Sequence, residues 1–251
     1  MADRPYTLLS VGMSIDGFID SAGEERLLLS NAADLDRVDE VRAWCDAIMV
    51  GATTVRKDDP RLLVRGPERQ RRRVADGRPP SPAKVTVTAG GRLDPEALFF
   101  AADGTEKLVY CGRGALRRVR DRVGSVSCVV DAGVSVDMRT VSEDLHVRGV
   151  RRLMVEGGGT LLTQFLTGRL ADELHLVVAP IFVGDARARR VVGDGRFPWH
   201  DNHRADLADV RRIGDVVLLR YALSSRFDDD PAGSPLVRSG AIGGLVTGEA
   251  R

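Results

Sequence analysis

Short apolar runs alternate with stretches of helical periodicity along most of this chain. Residues 6–13 read as a buried strand that breaks into the turn-forming stretch Ser14-Ile15-Asp16-Gly17. Ser30 or Asn31 caps the helix predicted next, where Leu35, Val38 and Val41 recur at helical spacing and Trp44 and Cys45 extend the face. Residues 47–50 form a second strand running into Gly51-Ala52-Thr53-Thr54-Val55, a βα junction rich in glycine and hydroxyls. Further strands are predicted over 85–88, 108–111 and 126–130, with helices over 114–123 and 137–147, the latter carrying Met138, Val141 and Leu145 on one face. Leu153-Met154-Val155 is a strand, Glu156-Gly157-Gly158-Gly159 a turn, and 160–166 a helix. A strand over 174–180 bends after Val183, and 208–213 pairs with 216–219 as a hairpin turning through Gly214-Asp215. This rhythm defines an α/β domain with a largely parallel central sheet, flanking helices and a C-terminal antiparallel hairpin.

Two segments fall outside the rhythm. Residues 66–82 are polar, with Arg69, Arg71, Arg72 and Arg73 ahead of Pro79-Pro80-Ser81-Pro82, and read as an exposed loop. No aromatic residues are interleaved for base stacking, so a nucleic-acid role for these arginines is disfavoured. From Ser225 the composition shifts to Asp, Gly, Pro and Ser, which divides the chain into a domain over 1–224 and a tail over 225–251.

With 251 residues, 43% of them hydrophobic, the chain has enough for one large core. It has 29% charged residues and no apolar run near the roughly 20 residues of a bilayer span, so no membrane partner is expected. The N-terminus lacks the charge-then-apolar pattern of a signal peptide. A net charge of +1 favours neither nucleic acid nor an acidic partner. Cys45, Cys111 and Cys128 are widely spaced and form no metal or redox pair, which suits a reduced, cytoplasmic protein. Only Lys57, Lys84 and Lys107 among the 37 basic residues are lysines, a bias attributed to coding composition.

Several chemistries lack their residues. There is no phosphate-loop motif, no zinc-peptidase or zinc-deaminase motif, and the glycine after Ser14 comes one residue late for a nucleophile elbow. His200 and His203 read as members of a solvated loop rather than metal ligands, His146 and His175 as structural, and no metal is expected. Gly157-Gly158-Gly159 does not match the G-x-G-x-x-G dinucleotide fingerprint. Glycines between a strand and a helix still let backbone N–H groups approach an anion at the positive end of the helix; the alternative is a tight turn that binds nothing. The junctions at Gly51 and Gly157 lie on strand ends that gather on one sheet edge, so both can face one ligand. Asp58, Asp59 and Glu156 are candidates for orienting polar groups or moving protons. Arg42, Arg61 and Arg65 are candidates for gripping a phosphate, with surface ion pairs as the alternative for each.

Taken in order, Met13-Ser14-Ile15-Asp16-Gly17, Asp46-Ala47-Ile48-Met49-Val50-Gly51-Ala52-Thr53-Thr54-Val55, Asp58-Asp59-Pro60-Arg61-Leu62 and Val155-Glu156-Gly157-Gly158 resemble the reductase domain of bacterial riboflavin biosynthesis. Asp172-Glu173-Leu174 and Ala179-Pro180-Ile181-Phe182-Val183-Gly184 extend the resemblance, which runs from about Tyr6 to Tyr221. It implies a dihydrofolate reductase-like fold, a homodimer, and NADPH-dependent reduction of a 5-amino-6-(5-phosphoribosylamino)uracil-type pyrimidine to its ribitylamino product. Carried over by position, it puts the cofactor against Met13, Ser14, Gly51, Thr53, Val55, Gly157, Gly158, Gly159, Thr160 and Leu161, with Asp16 beside the nicotinamide. The small-molecule substrate then faces Ser30, Arg42, Asp58, Arg61, Leu62, Arg65 and Glu156, with Asp58 and Glu156 as the catalytic candidates. Two departures stand out. Phe18 replaces a basic residue frequent in the family, which implies a lost charged contact and a less polar substrate. A deaminase domain often fused ahead of this reductase is absent from the match, which implies a substrate made elsewhere. A reductase of the same fold acting on a pterin or specialised pyrimidine, and a cofactor-binding protein without turnover, are the alternatives.

Overall fold

The computed structural model describes residues 3–23 and 27–227, which form one nine-stranded sheet in the order β5-β4-β3-β2-β6-β1-β7-β9-β8. The strands are β1 (Tyr6–Ser14), β2 (Ala47–Gly51), β3 (Ala83–Thr88), β4 (Lys107–Cys111), β5 (Cys128–Asp131), β6 (Arg152–Glu156), β7 (Glu173–Ala179), β8 (Asp206–Ile213) and β9 (Val216–Ala222). From β5 through β7 the pairing is parallel, and β7-β9-β8 closes the sheet antiparallel. The helices are α1 (Ala32–Trp44), α2 (Ala52–Asp58), α3 (Pro67–Ala75), α4 (Leu116–Val123), α5 (Met138–Val147) and α6 (Gly159–Thr167).

The central strands read as continuous apolar runs because both of their faces are covered. Alternate residues then serve two cores. Leu9, Met49 and Val155 point towards α5 and α6, packing with Val141, Leu145, Leu162 and Phe165. Leu8, Ile48 and Met154 point the other way, against Val41, Trp44, Val55 and Val119 of α1, α2 and α4. Because β1, β2 and β6 are parallel neighbours, their C-terminal ends at Ser14, Gly51 and Glu156 lie along one edge. That edge opens the crevice in which α/β sheets bind ligands.

Residues 66–82, expected as a loop, contain α3 instead. Pro67 occupies the first turn, where its missing N–H costs nothing. The helix is almost wholly polar, so hydrophobic periodicity could not reveal it. Its docking rests on charge and hydrogen bonds. Arg69 pairs with Asp36, Asp39 and Glu40 of α1 at 2.6, 3.0 and 2.6 Å. Arg73, fully buried, donates to the carbonyls of Ala43, Cys45 and Pro79. Its pKa is pulled down to about 10, first by burial and then by Arg78.

Residues 225–227, placed in the expected tail, contact the sheet region. Arg226 bonds Asp172 at 3.1 Å and Phe227 lies under the Arg220 guanidinium at 5.5 Å. The rest of the expected tail, 228–251, lies outside the described residues. No described helix is long and apolar enough to cross a membrane.

Candidate active site

A cavity of about 830 Å³ opens at the C-terminal edge of β1, β2 and β6. One wall is α1, which contributes Asp34, Arg37 and Arg42. Asn31, not Ser30, caps this helix by accepting from the Asp34 N–H at 2.9 Å, which leaves the Ser30 side chain to line the cavity. A second wall is α2 and the segment after it, carrying Thr54, Lys57, Asp58, Arg61, Leu62 and Arg65. The floor includes Ser10, Val50 and the Glu156-Gly157-Gly158 turn, and Asp20 and Arg189 stand at the rim.

The segment after α2 is held in an unusual backbone shape. Asp59 has φ of 41° and Leu62 of 52°, both in the left-handed region where a Cβ is unfavourable. Such residues cost about 1–3 kcal/mol each and persist only when their surroundings fix them. Asp59 accepts from the Leu98 N–H at 2.6 Å, which ties the loop to the segment ahead of β4. Leu62 is buried, and between the two lie Pro60 and Arg61, presented to the cavity.

Charge in the cavity is paired in a definite way. Arg42 donates Nε and a terminal nitrogen to the two oxygens of Glu156 at 2.5 and 2.6 Å. Burial works against the Arg42 charge, but Glu156 more than offsets it and raises the guanidinium pKa. Arg37 meets Asp34 at 2.7 Å and Lys57 meets Asp20 at 2.5 Å. Behind Arg37, His175 is fully buried, with Nδ1 3.0 Å from the guanidinium and Nε2 2.6 Å from Glu173. A guanidinium only donates, so Nδ1 must be unprotonated and the ring neutral. Burial likewise lowers the His175 pKa. The lining holds six cationic side chains and four carboxylates, a surplus of two positive charges.

The glycine turn is built for close approach. Gly157 and Gly158 have φ of 68° and 85°. A Cβ at Gly157 would meet no atom within 4 Å, so that side of the turn is open. The third glycine has a different cause: a Cβ at Gly159 would lie 2.6 Å from the Arg190 carbonyl, where the segment after β7 crosses α6. No side chain caps α6. Its first-turn N–H groups are therefore suited to an anion such as the pyrophosphate of a dinucleotide.

The cavity brings together Ser30, Arg42, Asp58, Arg61, Leu62, Arg65, Glu156, Gly157 and Gly158. Gly51, Thr53, Val55, Gly159, Thr160 and Leu161 flank it without lining it; Val55 and Leu161 are buried in the cores, and Gly51 packs beneath Leu161. Met13 and Ser14 also lie outside the lining. Ser14 is buried, donates to Asp16 Oδ1 at 2.5 Å and accepts from the Phe18 N–H. Asp16 accepts in turn from the N–H groups of Val183 and Gly184. These bonds, with Ser14 foremost, hold the Asp16 carboxyl pKa at about 2. Ser14 and Asp16 thus tie the loop after β1 to the segment after β7.

Phe18 is absent from the lining of the cavity. It is buried, with the Arg190 guanidinium 4.7 Å above its ring. An aromatic ring there supports a cation–π contact. Lys57 and Asp20 were not singled out from sequence. The available signal was composition: in a chain where 34 of 37 basic residues are arginine, each surviving lysine marks a place to look. Lys84 and Lys107 pair with Asp103, and Lys57 stands in the cavity. His200 and His203 lie on an exposed loop, and no group of three or more potential metal ligands occurs among the described residues.

A parallel sheet whose strand ends open onto an uncapped glycine turn and a cationic cavity is the layout of a dinucleotide-dependent α/β oxidoreductase. The sequence model of the RibD C-terminal domain matches residues 5–219. A protein of Archaeoglobus fulgidus named 2,5-diamino-6-ribosylamino-4(3H)-pyrimidinone 5′-phosphate reductase is 36% identical over 229 residues, 90% of this chain and 99% of its own length. One of the same name from Methanothermobacter thermautotrophicus is 35% identical over 222 residues, covering 88% of this chain and 99% of its own. Among solved structures, a pyrimidine reductase-like protein of Corynebacterium diphtheriae superposes with a TM-score of 0.76 at 22% identity, covering 87% of this chain and 91% of its own; this likeness concerns the fold. The chain belongs to the RibD C-terminal domain family, the reductases of riboflavin biosynthesis, with a dihydrofolate reductase-like fold.

Proposed function

We propose that this reductase converts the ribosylamino group of a 2,5-diamino-6-ribosylamino-4(3H)-pyrimidinone 5′-phosphate to a ribitylamino group, with NADPH as the reductant. The observation that carries the reading is the 36% identity extending over 99% of a relative bearing that name. The two-charge cationic surplus of the cavity supports it, since a phosphate monoester is close to dianionic at neutral pH. The sequence expectation named the deaminated, uracil-type pyrimidine; the names of the more similar relatives favour the diamino form. With Phe18 buried away from the cavity, a less polar substrate loses its support.

In this reading the pyrophosphate of NADPH lies on the Gly157–Leu161 turn, with Met13, Ser14, Gly51, Thr53 and Val55 shaping the cofactor side. A bound nicotinamide supplies a hydride. Ser30, Asp58 and Leu62 bound the substrate, and Arg61 and Arg65 take its phosphate. Glu156 is held by Arg42, which leaves two of the roughly four lone-pair sites of a carboxylate to orient substrate amino groups. That arrangement makes Glu156 an acceptor rather than a proton donor. The enzyme is proposed to work in the cytoplasm as a homodimer. Leu207, Val210 and Val217, 54%, 48% and 37% exposed on one face of the β8–β9 edge, support a covered surface there.

Reading NADPH oxidation with the diamino and uracil phosphates, their dephosphorylated forms and dihydrofolate tests the assignment. The diamino phosphate is expected to give the highest kcat/KM. Preference for a dephosphorylated form or dihydrofolate would remove the phosphate assignment.

A further inference from the structure

The segment between β7 and β8 does more than connect two strands. Ile19 donates its N–H to the Arg189 carbonyl at 2.8 Å, and Val191 donates to the Gly17 carbonyl at 3.1 Å. Between these two bonds the Arg190 guanidinium covers the Phe18 ring. A little further on, the Gly193 N–H donates to the Thr163 hydroxyl of α6 at 2.8 Å. Residues 189–193 therefore form a strap from the loop after β1 to α6, and it crosses the first turn of that helix. Glycine is required at the crossing, because the Arg190 carbonyl occupies the space of any Cβ at Gly159. The strap and its approach carry three arginines. Arg187 pairs with Asp185 at 2.8 Å, and Arg190 is engaged by Phe18. Arg189 makes no ion pair or side-chain hydrogen bond among the described residues, and it lines the same cavity as Gly157 and Gly158.

We propose that Arg189 is a cofactor-binding residue, its guanidinium pairing with the pyrophosphate of the dinucleotide on the Gly157–Leu161 turn. The inference rests on the cofactor reading above. The first-turn N–H groups of α6 present a partial charge of roughly half a unit, which leaves most of the charge of a pyrophosphate unmatched. A guanidinium without a carboxylate partner keeps its five donors for a ligand, and its planar fork fits phosphate oxygens. Arg61 and Arg65, the arginines given to the substrate phosphate, follow α2. Arg189 instead lies one peptide from the carbonyl that crosses Gly159, the first residue of α6. Its own carbonyl is anchored by Ile19, so the strap need not move to present the charge, and little ordering is left for binding to drive. Gly159 then has a role at a distance: its missing side chain lets the strap seat Arg189 against the turn.

The test is isothermal titration of wild type, Arg189→Gln, Gly159→Ala and the double variant with three ligands. These are NADPH, 2′-phospho-ADP-ribose, which keeps the pyrophosphate, and adenosine 2′-phosphate, which lacks it. Arg189 is exposed, so Arg189→Gln should keep the wild-type midpoint in urea. It is expected to bind NADPH and 2′-phospho-ADP-ribose about ten- to a hundredfold more weakly, the usual scale for a charge-assisted contact. Its affinity for adenosine 2′-phosphate should match wild type, as should its KM for the pyrimidine phosphate. Added salt should weaken NADPH binding less in Arg189→Gln than in wild type, because one screened pair is gone. Gly159→Ala pushes the strap off the turn, so it should cost less affinity in the Arg189→Gln background than in wild type. NADPH affinity unchanged by Arg189→Gln overturns the proposal, and so does equal weakening of all three ligands. A KM raised for the pyrimidine phosphate with NADPH binding intact moves Arg189 to the substrate phosphate and overturns it as well. Fully additive losses in the double variant overturn the seating of Arg189 by the strap. Wild type that binds no NADPH overturns the cofactor reading, and the role of Arg189 with it.

Discussion

Glu156 and Arg42 form a two-point ion pair in the cavity, and each is 17% exposed. Removing one charge from such a pair leaves the other poorly solvated, so the variant loses more than the pair contributed. Glu156→Gln is expected to lower kcat by at least about tenfold with little change in NADPH affinity, because the amide still accepts but no longer fixes Arg42 or its own orientation. Stability should fall by roughly 1–3 kcal/mol. An unchanged kcat would take Glu156 out of the reaction. Behind the cavity wall, His175 couples the fold to pH. Its folded pKa lies below the unfolded value of 6.5, so the unfolded chain binds the proton first as pH falls. The stabilisation is present above pH 6.5 and lost below it. Urea unfolding at pH 7, 6 and 5 should show wild type losing up to about 1.4 kcal/mol per pH unit more than His175→Gln. Equal losses in the two proteins would mean that the ring is not held neutral.

At the scale of elements, α3 shows what hydrophobic patterning cannot see. Strands β1, β2 and β6 were readable because both faces are buried and their central positions are apolar or small. Helix α5 was readable because Met138, Val141 and Leu145 repeat on one face. Helix α3 buries a single side chain, and that side chain is an arginine. Arg73→Met removes donors from three carbonyls and should destabilise the fold by roughly 2–4 kcal/mol in urea unfolding, with no direct effect on kcat. A midpoint equal to wild type would show that α3 docks without it. The loop after β1 escaped sequence reading for a related reason. Ser14 and Asp16 carry the residue types of a ligand site, yet their hydrogen bonds go to one another and to the Val183 and Gly184 N–H groups. The burial of Phe18 outside the cavity lining was likewise hidden, because a chain position does not say on which side of a loop its ring lies.

Across the whole molecule, the parallel order β2-β6-β1 is what turns scattered motifs into one cavity. Gly51, Glu156 and Ser14 are far apart in the chain and share an edge because their strands run the same way. That convergence was predictable from the strand–helix rhythm, as were the two glycine junctions and the arginines after α2. The pairing of Arg42 with Glu156 and of Lys57 with Asp20 was not, since ion pairs between segments over 30 residues apart leave no periodic trace. The most direct measurement of the central claim is single-turnover reduction of the phosphorylated diaminopyrimidinone with NADPH deuterated at the transferred position. The expected result is a ribitylamino product with one deuterium at C1′ and one NADPH consumed per product. Deuterium appearing instead in dihydrofolate alone, or in neither substrate despite bound NADPH, would contradict it.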